Sequence, residues 1–196
     1  MAPYRRPLAI ALTAVAGALV AGALAAGLWG GSDGGLVVLG KVRGHLVAMG
    51  WGALVALIAA ALTGLRQPMA RIALAVAPAV LGVPVLLIGT LGALLSDEPK
   101  RTQDLAAPGN EGRRLVVERS YAMIDPVWDV YVHEGDGLLE RRWAVGTFNG
   151  DAPANALGEA VWTGPDTIRM AIGDGTVHEV TLAPGGRPDR TVSAGW

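Results

Sequence analysis

Ser120 and Ser193 are the serines of residues 113–196 in this 196-residue chain, and His133 and His178 are the imidazoles that could activate them. Nucleophilic chemistry would need one serine within hydrogen-bond reach of one histidine. Neither serine sits in a Gly-x-Ser-x-Gly elbow. Both histidines fall in stretches that alternate like strands, where a solvated strand face is the ordinary place for them. Paired carboxylates occur at Asp125/Asp129 and Glu134/Asp136. None lies in an apolar run that would raise its pKa toward general acid–base work. With no cysteine in the chain, disulfides and thiolate chemistry are excluded and a zinc site is disfavoured. Glu134-Gly135-Asp136 matches a fragment of a calcium loop without the remaining EF-hand spacing. The glycines of residues 30–35 lack the Gly-Lys-Ser/Thr ending of a phosphate loop. No catalytic, cofactor-binding or metal-ligating residue is assigned, no cofactor is expected, and the chemistry points away from an enzyme.

What remains is surface. Trp128 and Trp143 have apolar neighbours two residues away and read as core. Trp162 precedes a turn, and Trp196 is the last residue given; either could serve as an exposed anchor for a partner, although core packing is the plainer reading of Trp162. Arg141 and Arg142, beside Trp143, could hold an anion or simply line a solvated strand face.

The elements that would position these residues differ sharply along the chain. Residues 1–95 carry six Lys or Arg and one acid, whereas residues 96–196 carry ten Lys or Arg and sixteen acids. A basic apolar half followed by an acidic half argues against a nucleic-acid surface, which needs clustered positive charge. Arg outnumbers Lys fourteen to two, and Ala, Gly and Pro abound, the bias of a high-G+C bacterial genome. Three charge-free runs, about residues 8–28, 46–65 and 72–95, are each long enough to cross a bilayer as a helix. The first could instead be a cleaved signal peptide ending near Ala23-Leu24-Ala25. Its length and the two spans that follow favour retention. Arg5/Arg6 and Arg66/Arg71 would share one side, and the positive-inside rule makes that side cytoplasmic. The expected topology is N-terminus in, C-terminal domain out, in the bacterial cytoplasmic membrane.

Small residues recur every four positions at Ala14, Ala18, Gly22 and Ala26, and again at Ala48, Gly52, Ala56, Ala60 and Gly64. Such stripes let helices approach closely, within the bundle or between copies. Leu12, Val15 and Leu19 would then face lipid. Pro78 and Pro84 interrupt the third run and predict kinks. No Asp, Glu, Lys or Arg lies inside a span, which disfavours a pump or coupled transporter acting alone.

Residues 96–112 read as a polar linker punctuated by Pro99, Pro108, Gly109 and Gly112, so that the third span alone would tether the C-terminal domain. Residues 113–196 alternate apolar and polar with period two. The apolar faces are Leu115, Val117, Tyr121 and Met123; Trp128, Val130 and Val132; Leu139, Trp143 and Val145; Ile168, Met170 and Ile172; and Val180 with Leu182. Gly135-Asp136-Gly137 and Gly173-Asp174-Gly175 supply hairpin turns. The expected fold is a three-helix transmembrane bundle plus a small all-β antiparallel domain, a meander or incomplete barrel.

The run Val127-Trp128-Asp129-Val130-Tyr131-Val132, with Trp143-Ala144-Val145-Gly146 and Ala160-Val161-Trp162-Thr163-Gly164-Pro165-Asp166-Thr167-Ile168, resembles the extracytoplasmic sheet modules of small multi-pass membrane proteins of high-G+C Gram-positive bacteria. The resemblance covers some 60 residues and implies a sheet module outside the membrane; it brings no activity and no site residues. The function expected is a non-enzymatic accessory, scaffold or binding subunit whose partners are the lipid bilayer and another membrane protein or a second copy. The alternatives are an accessory or gating component of a transport system and, behind it, an extracytoplasmic enzyme.

Overall fold

The computed structural model describes residues 4–95, 97–122 and 124–195. Among them the elements run α1 (Arg5–Trp29), β1 (Asp33–Leu36), α2 (Val37–Arg43), α3 (Leu46–Gly64), α4 (Pro68–Leu94), β2 (Lys100–Ala107), β3 (Asn110–Ala122), β4 (Asp125–Glu134), β5 (Arg141–Asn149), β6 (Leu157–Trp162), β7 (Thr167–Ile172), β8 (Val177–Thr181) and β9 (Val192–Ala194). Short 3-10 turns cover Gly137–Leu139 and Pro153–Asn155. The chain divides into two compact units. One comprises the residues up to Leu28 with Lys41–Leu94, and the other Trp29–Gly40 with the residues from Leu95 on.

In the helical unit, α1, α3 and α4 are each long and apolar enough to cross a membrane, with mean hydropathies of 2.3, 2.1 and 2.5. Glycines set the contacts. A methyl group on Gly50 would come within 2.5 Å of Leu86, and one on Gly89 within 3.3 Å of Val47, so α3 and α4 run antiparallel along a glycine seam. Polar groups inside these helices are satisfied locally, as an apolar surround requires. The hydroxyls of Thr13, Thr63 and Thr90 donate to carbonyls four residues back, and the Trp51 indole donates to Thr90 Oγ1 at 3.0 Å. Arg71 Nε donates to the Leu62 carbonyl at 2.9 Å, placing a cation on the open carbonyl end of α3. Pro78 and Pro84 lie inside one uninterrupted α4.

The β unit has two sheets. The larger is ordered β1-β5-β4-β3-β2, with β9 pairing parallel to β5 directly, at Gly146, Thr147 and Phe148; the smaller is β6-β7-β8. Period-two alternation buries one face of each. Leu115, Val117, Val130, Val132, Val145 and Phe148 from the first sheet meet Ala160, Ile168, Met170, Ile172 and Val180 from the second in one core. Side chains bridge the sheet margins. Gln103 Nε2 on β2 donates to the Ala160 carbonyl at 2.8 Å, and the Trp162 indole on β6 donates to the Leu105 carbonyl at 3.0 Å. The outer edge of β8 is covered by Asp189, whose amide donates to the Thr181 carbonyl at 2.8 Å and whose carboxylate accepts from the Thr181 amide at 3.1 Å. Covered edges are a common guard against strand-to-strand association.

Several sequence expectations change here. The stretch read as a linker over residues 96–112 is mostly strand. Lys100–Ala107 forms β2 and pairs antiparallel with β3, which already begins at Asn110. Pro108-Gly109, read as a linker signal, is the tight turn between them, with Gly109 at φ +76°. An edge strand with one wet face needs few apolar residues, so its alternation was too faint to register. Residues 29–40 also contribute to the sheet. Asp33 pairs with Trp143 and Leu36 with Arg141. The chain therefore joins the β unit at three points rather than through the third span alone. Leu139, expected in the core, sits with Leu138 in a 3-10 turn, where they are 77% and 74% exposed. Met123 lies outside the described residues.

Candidate functional site

Strand alternation sends Val130 and Val132 to the core and leaves Asp129, Tyr131 and His133 on the opposite face of β4. Their cross-strand neighbours are Glu118, Val116 and Arg114 on β3, and Thr147, Ala144 and Arg142 on β5. This face gathers Asp129, Tyr131, His133, Glu118, Arg114 and Arg142. Its residues are largely spent on each other. Thr147 Oγ1 donates to Asp129 Oδ1 at 2.9 Å. The Arg142 guanidinium lies 4.6 Å from the Tyr131 ring centroid and 3.9 Å from Glu118. Arg114 Nε donates to Asp104 Oδ1 at 2.7 Å, and Arg101 Nη1 reaches the other oxygen at the same distance. His133 Nδ1 lies 2.8 Å from Glu140 Oε1.

The electrostatics follow from burial. Desolvation raises the Asp129 carboxyl above its ordinary range, against a smaller pull from Thr147 and Arg142. Burial also pushes the Tyr131 phenol up to about 12. Burial lowers His133, and Glu140 opposes that only in part. At Asp104 burial is outweighed by Arg114 and Arg101, which hold the carboxyl low.

A second cluster crosses between the sheets. Arg113, 3% exposed, donates through Nε to Glu134 Oε2 at 2.5 Å and through Nη1 to Asp166 in the β6–β7 turn. Burial works against its charge, but the two carboxylates prevail and raise its pKa. It is a clamp between layers.

Among the described residues, neither Ser120 nor Ser193 is hydrogen-bonded to a histidine. Ser120 faces Val127 across the strands, six residues along β4 from His133. At ~3.3 Å per residue they stand about 20 Å apart. Ser193 pairs with Thr147, and His178 lies on β8 opposite Met170. His133, expected on a solvated face, is 2% exposed. No group of three or more His, Asp or Glu able to hold a metal occurs among the described residues. A cleft of about 280 Å³ opens between β2 and β6, lined by Thr102, Gln103, Trp128 and Glu159.

The surface candidates are engaged within the β unit. Trp162 packs on the core and spends its indole N–H on Leu105. Arg141 Nη1 donates to the Gly34 carbonyl at 3.3 Å. A Cβ built at Gly40 would meet Arg142 Nη2 at 3.3 Å. Arg141 thus bonds to residues 29–40, and Arg142 lies beside them. Trp196 lies outside the described residues.

The small-residue stripes are brought together in part. A methyl on Gly22 would come within 3.0 Å of Met49, one on Gly52 within 3.1 Å of Leu19, and one on Gly64 within 2.8 Å of Ala9 Cβ. Ala26, Ala56 and Ala60 are buried, whereas Ala14, Ala18 and Ala48 are exposed. Leu12 and Leu19, expected toward lipid, are half-buried; Val15 is exposed. A four-residue step overshoots a helical turn by about 40°. A stripe of fours therefore spirals off the contact, and the buried line of α1 runs Ala16, Leu19, Gly22, Ala26. Ala14 lines an apolar groove of about 880 Å³ with Leu57, Ala60, Gly64, Leu74 and Pro78. Pro84 is exposed.

The signal missed was the strap, residues 29–40. Gly34 holds φ +75°, and a Cβ there would stand 2.6 Å from the Trp143 ring. A glycine pair after a turn acid was the available hint. Comparison of the chain with protein-family models, with curated proteins and with solved structures found no match.

Proposed function

We propose that this chain is a multi-pass membrane protein of the bacterial cytoplasmic membrane that displays its β unit outside as a non-enzymatic accessory or binding subunit. The observation that carries the proposal is the pairing of β1 with β5. β1 lies between the first and second apolar helices and β5 lies beyond the third, so both must occupy one side of a membrane. Three crossings meet that demand. The basic residues Arg5, Arg6, Arg66 and Arg71 favour the cytoplasm for the other side. A platform joined to the chain at three points, with Arg113, Arg114, Asp104 and Glu134 committed to internal pairs, suits display better than turnover.

Cross-linking in native membranes, followed by co-purification and identification of partners, tests this reading. A reproducible membrane or envelope partner that is lost when the β unit is disrupted is the expected result. Recovery of the chain alone would overturn the accessory-subunit reading.

A further inference from the structure

Among the described residues five buried side-chain polar atoms have no hydrogen-bond partner: His133 Nε2, Arg142 Nε, Trp143 Nε1, Asn149 Oδ1 and Arg169 Nε; of these, only the histidine nitrogen titrates near neutral pH. His133 Nδ1 is engaged with Glu140, but Nε2 is buried with no hydrogen-bond partner among the described residues. Glu140 has a second role. Its backbone carbonyl accepts the Val37 amide at 2.9 Å, and Val37 is itself buried at the end of the strap. His133 and the strap are therefore fastened to the same residue.

The charged groups around His133 come from every neighbouring strand. Arg114 on β3 and Arg142 on β5 are its direct cross-strand partners. Arg101 on β2 adds positive field, and Glu140 supplies the facing carboxylate. The strap's one ionisable residue is Asp33, which pairs with Trp143 two positions from Arg141. A neutral imidazole suits this setting. An imidazolium would place an N–H at Nε2 with no acceptor among the described residues, in the positive field of Arg101 and Arg142.

We propose that His133 is an acid-sensitive latch, and that its protonation releases residues 29–40 from the sheet. The strap is the element to yield. β1 is four residues long with two glycines, whereas β4 is paired on both sides. With the strap closed, burial holds the His133 pKa below its ordinary value of 6.5, against the pull of Glu140; release of the strap frees Glu140 and lets the imidazole return toward that value. Lower pH therefore favours release. At pH 5.0, one and a half units below the open-state value, the shift reaches at most ~30-fold. The latch operates whichever side of the membrane the β unit occupies.

Hydrogen exchange on the full chain in lipid nanodiscs at pH 7.5 and 5.0 tests the latch, with rates corrected for intrinsic pH dependence. Protection of residues 33–38 should fall roughly five- to thirty-fold at pH 5.0 while β7 is unchanged. His133→Asn keeps a donor for Glu140 but does not titrate, and its strap should lose the pH response. Glu140→Gln removes the counter-charge, and its strap should open further at pH 5.0 than the wild type. A wild-type change below twofold, an equal loss in β7, or a persistent response in His133→Asn overturns the latch. Should His133→Asn fail to fold, a Glu140→Gln strap that opens no further than wild type overturns it.

Discussion

Gly34 and Gly109 hold almost the same backbone conformation, φ +75° and +76°, in opposite surroundings. A Cβ on Gly109 would meet nothing within 4 Å, whereas one on Gly34 would stand 2.6, 2.8 and 3.1 Å from three carbons of the Trp143 ring. Alanine at either position bears the left-handed backbone cost, about 1–2 kcal/mol. Gly34→Ala adds overpacking against Trp143, about 1–3 kcal/mol more. The strap should therefore open by about 2–5 kcal/mol more readily, a loss of protection of roughly 30-fold or more at the Val37 and Ala144 amides, which donate to the Glu140 and Ser32 carbonyls. Hydrogen exchange on the full chain reads this directly. Gly109→Ala should change protection of its own hairpin by the backbone cost alone and leave the strap untouched. Adding Trp143→Ala to Gly34→Ala removes the clash, so the two substitutions should be non-additive by about 1 kcal/mol or more. Equal effects of the two alanines, or full additivity with Trp143→Ala, would refute the packing of the strap on Trp143.

Further outcomes follow from single groups. Arg113→Met leaves Glu134 and Asp166 without their clamp; because those carboxylates keep 25% and 56% side-chain exposure and can hydrate, the loss should be about 2–3 kcal/mol, near the low end for a broken buried pair, read by tryptophan fluorescence during urea unfolding. Burial raises the Asp129 pKa in the fold above its unfolded value of 3.8, so the folded state prefers the protonated form and loses stability as pH rises. Asp129→Asn should raise the unfolding midpoint at pH 7, with the advantage shrinking below about pH 4; a lower midpoint at pH 7 would contradict it. Gly64→Leu meets Ala9 Cβ and should loosen α1 from α3, raising the protease sensitivity of the detergent-solubilised chain, whereas leucine at Gly17, where nothing lies within 4 Å, should not.

The legible parts of this chain are those whose signal is local. Charge-free runs fixed the three long helices because length and hydropathy alone decide them. Val130/Val132 and Ile168/Met170/Ile172 announced strands because one buried face imposes period two. β2 and β1 escaped for a shared reason: neither carries an apolar face of its own, although β2 pairs with the adjacent β3 and β1 with the distant β5. An edge strand of Lys, Arg, Thr, Gln and Asp, and a four-residue strand with two glycines, carry almost no propensity of their own. His133 was misjudged in consequence. On a bare sheet, the face holding Asp129, Tyr131 and His133 would be wet. Its residues instead engage one another and Glu140: His133 with Glu140, Asp129 with Thr147, and Tyr131 under the Arg142 guanidinium.

The most direct test uses the absence of cysteine from the chain. Single cysteines replace Asp33 in the strap, Ala183 beyond β8 and Gln67 between α3 and α4, all exposed positions. Each is challenged in intact cells with a membrane-impermeant thiol reagent. The account predicts labelling at 33 and 183 in intact cells, and at 67 only after lysis. Labelling of 67 alone in intact cells would reverse the orientation, and labelling of 33 and 183 from opposite sides would contradict the three crossings and the strap together.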